Sequence, residues 1–356
     1  MTAPTTRYPE LEVVGTPREL GRQLGEAAKE KIRGFCEIAL DRVRVTTSVS
    51  RESALAVVAE TLPFVEEYAP DLLEELRGVT EGAGVTLEDL MLLQVRNQLV
   101  ADDAGCTAFS VRTAELACVG QNWDNDPELD AFTIVLTRRP AGKPSSMTVT
   151  QAGLIGYIGL SSAGFGLCLN TLPAPRREQG VPGYFLVRRF LEAESLDRAV
   201  EAAEEARCVI PLNVMMQTPQ GPADLEVTPQ GVYVLRPESD VGGNELLSHT
   251  NHCLHPELEA VNGDFPELIQ SHPRKRRIDT LLGVAQREAS VEALKKLLSD
   301  HDNFPRSICR HTNDEPPHGF WTTVFSVIME AEQGRLHVTR GNPCEVPYEE
   351  YQLSRS

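Results

Sequence analysis

GCTAFSVRTAELACVGQNWDN, residues 105–125, is the stretch where the chain changes texture. It holds two β-rich runs, TAFSV and LACVGQNW. FTIVLTRR, SSMTVTQ, GYIGL and GLCLN follow, punctuated by turn residues such as Pro127 and Ala141-Gly142. Short runs of this kind bounded by turn formers read as consecutive strands. Strands joined by tight turns pair antiparallel.

Upstream, residues 16–100 read as helical. Leu20, Leu24, Ala27, Ala28, Ile32 and Phe35 form a helical stripe. Thr16 is placed to cap it, ahead of Pro17 at the first helical position. The segment SALAVVAETLPFVEEYAPDLLEELRGV predicts two helices split near Pro63 or Pro70, and Thr86 predicts a further cap. Downstream, residues 184–207 return to helix. Strands resume at LNVMMQT, ADLEVT, GVYVLR and LLSHTN, helices at 273–285 and 289–300, and a hairpin turns near Gly334. Helical blocks between groups of strands call for helix layers outside paired sheets. The expected class is α+β: an αββα sandwich of two antiparallel sheets, preceded by a helical N-terminal segment.

The composition is that of a globular chain, 41% hydrophobic and 24% charged over 356 residues. A net charge of −18 disfavours nucleic acid and anionic lipid as partners. The basic run Arg274-Lys275-Arg276-Arg277 reads as a solvated helix face rather than a phosphate site. The opening residues lack the features of a secretory signal, and no run is long and apolar enough to span a bilayer, so the cytoplasm is the expected compartment. Eight scattered cysteines without a CxxC pair suit a reducing milieu, with one reactive member at most.

Cys106 is the candidate for that member. A cysteine at the start of a strand, after a small residue, can attack the carbonyl before it and move the acyl group from nitrogen to sulfur. Hydrolysis then frees a new chain end. Gly105 would tolerate the bent backbone this requires. The product carries a thiol and an α-amine on one residue. An α-amine with a pKa of about 7.7–8.0 can act as the local base. All eight histidines lie at position 249 or later. Taken alone, Cys106 reads as a buried structural thiol.

The surrounding motifs change that reading. GCTAFS and GQNWD, with Cys106 and Asp124, are joined by GLSSAGFGLCLNTL (159–172), GVPGYFLVRRFLEAESLDRAV (180–200), SHTNHCL (248–254), DNFPRSICR (302–310) and TTVFSVIM (322–329). Together they resemble the isopenicillin N acyltransferase family of N-terminal-nucleophile hydrolases over most of residues 95–345. The resemblance implies self-cleavage between Gly105 and Cys106, giving a small subunit (1–105) and a catalytic subunit (106–356) that remain associated. Such an αβ heterodimer leaves room for further homo-oligomers. It also implies Cys106 as nucleophile, Asp124 beside the new α-amine, Asn251 donating to the oxyanion and Arg310 favouring the thiolate. The expected substrate is a small N-acyl amide or acyl thioester, with no cofactor and no metal.

Three departures stand out. Asp102-Asp103-Ala104 precede Gly105 where the family often has Asp-Gly, so any carboxylate helping cleavage is displaced. Ser161-Ser162-Ala163-Gly164 stands where the family has Asn-Ser-Ala-Gly. Asn125 and Asp126 follow QNWD where penicillin-making members carry aromatics, which points to a more polar or cationic substrate. The expected substrate-binding residues are Asn125, Asp126, Ser161, Thr228 and Ser307. Three other readings stay open: an uncleaved thiol hydrolase pairing Cys106 with His249 or His252, a zinc site at His249, His252 and His255, and a silent binding module. For the zinc site, the spacing offers no common face.

Overall fold

The computed structural model describes residues 6–45, 47–99, 105–173, 179–238, 243–264, 270–316 and 319–354. Its first element is unanticipated: strand β1 (Glu10–Gly15), before helices α1 (Pro17–Ala27), α2 (Lys29–Val43), α3 (Arg51–Tyr68), α4 (Pro70–Ala83) and α5 (Leu87–Leu99). The Glu19 carboxylate anchors the start of α1 by accepting from the Thr16 N–H (2.8 Å) and hydroxyl (2.7 Å). The helical stripe read from sequence is broken at Ala28, where the backbone leaves helical geometry (φ −110°, ψ 20°). Leu20 and Leu24 are therefore buried on α1, Ile32 and Phe35 on α2, and Ala27 is exposed. The break predicted near Pro63 or Pro70 falls at Pro70. Pro63 lies inside α3 on its exposed side, where the carbonyl that loses its partner can turn to water. Thr86 caps α5 by accepting from the Asp89 N–H (3.1 Å).

Helices α1 and α4 touch backbone to backbone. A Cβ placed on Gly21 would stand 1.8 Å from the Glu75 carbonyl oxygen, and one on Gly78 would stand 2.2 Å from that of Arg18. Gly25 and Gly82 repeat the contact one turn on. Only glycine permits this approach, and it lets Glu75 reach into the core.

The remaining strands are β2 (Gly105–Arg112), β3 (Ala117–Asn125), β4 (Thr133–Pro140), β5 (Ser146–Gln151), β6 (Gly159–Ser161), β7 (Gly166–Thr171), β8 (Leu212–Thr218), β9 (Gly221–Thr228), β10 (Gly231–Leu235), β11 (Glu245–His249), β12 (Thr322–Glu330), β13 (Arg335–Val338) and β14 (Glu349–Gln352). Helices α6 (Gly183–Glu192) and α7 (Leu196–Ala206) interrupt them after β7, and α8 (Ser271–Ala285) and α9 (Val291–Leu298) after β11. One sheet runs β1-β4-β5-β6-β7-β8-β9-β10 and the other β11-β2-β3-β12-β13-β14. Among the described residues all ladders between these strands are antiparallel except β1 with β4. Strands β2 and β3 face β7 and β8, α8 and α9 cover the far side of the six-stranded sheet, and α1, α6 and α7 lie against the eight-stranded one. This is the expected αββα sandwich.

Side-chain parity on β2 decides where chemistry can sit. Phe109 and Val111 point outward and pack with Ile278, Leu282, Leu294 and Leu298 of α8 and α9. Cys106 and Ala108 belong to the main core between the sheets. Period-two alternation therefore sends the Cys106 thiol inward and Thr107 outward toward α8.

Candidate active site

The β2–β3 ladder sets Gly105 opposite Asp124 and Cys106 opposite Trp123. On the other edge of β2, β11 ends at His249 and the chain turns through Thr250, Asn251 and His252. Ser271, the first residue of α8, secures that turn: its hydroxyl accepts from the Asn251 N–H (2.7 Å) and bonds His252 Nδ1 (2.7 Å). Asn251 thereby reaches Cys106, and its Oδ1 accepts the Cys106 backbone N–H at 3.0 Å.

A residue that sequence reasoning assigned to the solvent completes the clamp. Arg274 is buried; one nitrogen donates to the Cys106 carbonyl and to Thr107 Oγ1 (2.8 Å), the other to Asn251 Oδ1 (2.9 Å). Asn170 of β7 adds a weaker bond to the same carbonyl (3.4 Å) while holding the Thr250 carbonyl (2.7 Å). The signal was in the helix period: Arg274 shares a face with Ile278, Leu282 and Ala285, all buried. The solvated-face reading holds for Lys275, which pairs with Asp279, and for Arg277, which pairs with Asp300.

Asp124 lies on the opposite face of β3 from Trp123. Its Oδ1 accepts from Thr323 Oγ1 (2.7 Å), while Oδ2 is buried without a hydrogen-bond partner among the described residues. Thr323 Oγ1 in turn accepts from the Arg310 N–H (2.9 Å). Arg310 is buried, and its Nε and Nη1 also have no partner among the described residues. A Cβ on Gly105 would come within 3.3 Å of Asp124 Oδ2 and 3.5 Å of Arg310 Nη1. A methyl here would be tight and the Asp124 side chain would have to give by a few tenths of an ångström, whereas the backbone angles make no demand for glycine. Gly105 is absent from the glycines with positive φ because it is paired in the ladder with Asp124. The neighbouring Asp102, Asp103 and Ala104 lie outside the described residues.

Burial pushes the Cys106 thiol up to about 12, reinforced by the Asp124 charge and opposed by the Asp124 N–H, Arg274 and Gln121. Burial also raises Asp124 to about 6, against the pull of Arg274 and Arg310 and the Thr323 hydroxyl. At neutral pH burial thus keeps the thiol protonated, and it makes Asp124, across the strand from that thiol, easier to protonate than an ordinary aspartate.

The thiol opens on a cavity of about 130 Å³ whose walls include Trp123, Tyr157, Tyr184, Phe320 and Trp321. Asn125 and Asp126 line it as expected, but Asp126 is already paired with Arg42 (2.5 Å) and accepts the Glu128 N–H. Its charge gives little reason to expect a cationic substrate. Phe320 and Trp321 bring aromatic rings to the same wall. Ser161, Thr228 and Ser307 are not on the cavity wall. Ser161 is buried in β6, Thr228 bonds the Gly231 carbonyl in a turn, and Ser307 donates to the Cys309 carbonyl.

The histidines of the alternative readings are committed elsewhere. His249 bonds Thr250 O through Nδ1 (2.9 Å) and Glu226 through Nε2 (2.9 Å), leaving no nitrogen for Cys106. His252 Nδ1 is on Ser271, and the His255 ring packs against Tyr233. The three share no ligand point.

An αββα sandwich with a clamped cysteine facing an apolar cavity is the frame of an enzyme that handles acyl groups. The chain belongs to the acyl-coenzyme A:6-aminopenicillanic acid acyltransferase family, whose sequence model matches residues 111–345, beginning just past Cys106. It is 28% identical over 338 residues to the 40 kDa form of acyl-coenzyme A:6-aminopenicillanic-acid-acyltransferase from Emericella nidulans, covering 92% of this chain and 91% of that protein. Among solved structures it aligns with a variant of the conjugated bile acid hydrolase from Clostridium perfringens (TM-score 0.43, 14% identity, 70% of this chain and 97% of that one). It also aligns with the penicillin V acylase from Agrobacterium tumefaciens (TM-score 0.35, 10% identity, 67% and 74%). No helix among the described residues is long and apolar enough to cross a membrane.

Proposed function

We propose that this chain is a self-processing cysteine amidohydrolase or acyltransferase acting on N-acyl amides or acyl thioesters. The observation that carries the reading is the clamp on Cys106, main chain held by Asn251 and Arg274 and thiol turned to the apolar cavity. In the first stage Sγ attacks the Gly105 carbonyl and its proton is relayed to Asp124, which lies across the strand against Gly105. The C–N bond breaks, the nitrogen takes up a proton, and water hydrolyses the thioester to a Gly105 carboxylate and a free Cys106. In the second stage the new α-amine accepts the thiol proton as Sγ attacks the substrate carbonyl. Asn251, whose Nδ2 now rests on Thr171 at the cavity wall (3.2 Å to its carbonyl), turns to the oxyanion with backbone amides. The leaving amine takes the proton, and the acyl-thioester passes to water or an acceptor amine. Arg310 holds Asp124 in charge balance. Asn125 and Asp126 contact the substrate's polar end, and the aromatic wall takes its acyl chain.

The two products of cleavage stay together. Strand β1 is hydrogen-bonded into the eight-stranded sheet, and Glu75 of α4 pairs with Arg138 and Arg188 across the future junction. Eight cysteines without a disulfide fit a reducing compartment, the cytoplasm.

The test is a panel of N-acyl amino acids, acylated amines and acyl thioesters, quenched during turnover and analysed by mass. An acyl adduct on the fragment that begins at Cys106 is expected, and none in Cys106→Ala. Turnover by Cys106→Ala would overturn the assignment.

A further inference from the structure

Four soft donors converge outside the catalytic cleft. Among the described residues, His301, Cys309, His311 and Cys344 form one group whose ligand atoms all lie within 4.8 Å of one another. Cys309 Sγ is 3.5 Å from Cys344 Sγ and 3.6 Å from His311 Nε2. Cys344 Sγ is 3.5 Å from the same nitrogen, and the two Nε2 atoms are 3.1 Å apart. Tetrahedral zinc, with Zn–S about 2.3 Å and Zn–N about 2.0–2.1 Å, sets its ligands about 3.8 Å (S–S), about 3.6 Å (S–N) and about 3.3 Å (N–N) apart. Four of the six spacings meet that pattern to within about 0.3 Å. The sulfurs are far beyond the roughly 2.05 Å of a disulfide, and both cysteines are free.

The surroundings fit as well. Asn342 Nδ2 donates to Cys309 Sγ (3.5 Å), as outer groups do to metal-bound thiolates, and to the Arg310 carbonyl (2.7 Å). The Glu345 carboxylate stands 3.9 Å from Nδ1 of His311, the ring nitrogen facing away from the cluster. Cys309 is buried, while His301 and Cys344 are exposed, so an ion can enter from the surface.

We propose that these residues form a structural Cys2His2 zinc site that clips the 301–311 segment to the 342–345 segment. On binding, both thiols lose their protons to solvent and two thiolates with two neutral imidazoles close the coordination sphere. Two of the ligands, Cys309 and His311, flank Arg310, so the ion fixes both sides of the residue that faces Asp124. It takes no part in the reaction, and its presence does not depend on the reaction assigned to the cleft.

The experiment uses the full-length protein. Purified chain, stripped with chelator under reducing conditions and titrated with Zn2+, is expected to take up one equivalent. With Co2+ it should show the thiolate charge-transfer and tetrahedral d–d bands. Asn342→Ala should weaken zinc by about 10–100-fold and Cys344→Ser, which removes a ligand, by more. Cys36→Ser on α2 should leave binding unchanged. Stripping should raise hydrogen exchange in residues 301–311 and 342–346. Sub-stoichiometric zinc, a cobalt spectrum without thiolate bands, or a Cys309–Cys344 disulfide that persists as the native form under reducing purification would overturn the site. So would equal affinity in folded Cys344→Ser.

Discussion

The molecule buries two carboxylates that each face two arginines, and it treats them in opposite ways. Glu75 contacts both of its partners, Arg138 at 2.8 Å and Arg188 at 3.1 Å, and those guanidinium groups also bond the Leu154 and Ile155 carbonyls. Asp124 is drawn to Arg274 and Arg310 only at longer range. Both groups hold atoms without a hydrogen-bond partner among the described residues, Glu75 Oε2 and Arg138 Nη1 in the first, Asp124 Oδ2 with Arg310 Nε and Nη1 in the second, so it is the separation of the charges that differs. The first group spends its charge on contact and ties the N-terminal helices to the eight-stranded sheet. The second keeps its charges apart beside the Gly105–Cys106 peptide. Contact makes a buried charge structural; separation leaves it available for chemistry.

Four perturbations test this contrast. Cys106→Ala should abolish both processing and turnover while leaving a folded, uncut chain by gel and mass, since no other group supplies the sulfur. Asp124→Asn should slow processing by about 10²–10⁴-fold, the usual contribution of a positioned base, with little loss of thermal stability. The wild-type counterpart is a pH profile. With Asp124 raised to about 6, facing Arg274, Arg310 and Thr323 and lying across the strand from the Cys106 thiol, the carboxylate form that accepts the proton grows as pH rises. Processing of a precursor held at acid pH and then shifted upward should therefore accelerate through about 6 and level off. A flat profile across that range removes Asp124 as the base.

Glu75→Gln should do the reverse, costing about 3–5 kcal/mol in denaturant unfolding because the buried Arg138 loses its anion and Arg188 is left with Glu192 alone. Its effect on the chemistry per folded molecule should be small. Slow chemistry at wild-type stability would erase the distinction between the two groups. Gly21→Ala is the mildest test. Its methyl would meet the Glu75 carbonyl oxygen, and forcing α1 from α4 should cost about 1–3 kcal/mol of thermal or denaturant stability.

How much of this could be read beforehand follows from burial and range. The strands of residues 105–171 and the helices of 16–99 carry periodic apolar patterns, and those elements formed where expected. β1 and β14 were missed because edge strands bury little. Val13 alone is buried in one and Tyr351 alone in the other, and the alternation of Glu10-Leu11-Glu12-Val13 is too short to stand out. Cys106, Asp124, Asn251 and Arg310 stood out through motifs and are gathered around one peptide. Arg274 was hidden inside a basic run whose other members face water, although the 3.6-residue period placed it on the buried side. Asn170 and Thr323 looked like ordinary strand polar residues, since nothing local in a strand tells which polar side chain faces a partner sheet. The four converging donors at 301, 309, 311 and 344 were invisible for a different reason. His249, His252 and His255 are close in sequence but diverge in space, whereas the Cys2His2 group is assembled by packing of the final segment against the loop before β12.

The central claim is that the chain is cut before Cys106 so that sulfur and amine share one residue. Intact mass with N-terminal sequencing of freshly purified wild-type protein tests it most directly. The account predicts two co-purifying chains, the larger beginning Cys-Thr-Ala-Phe. A single, fully active 356-residue chain would contradict it.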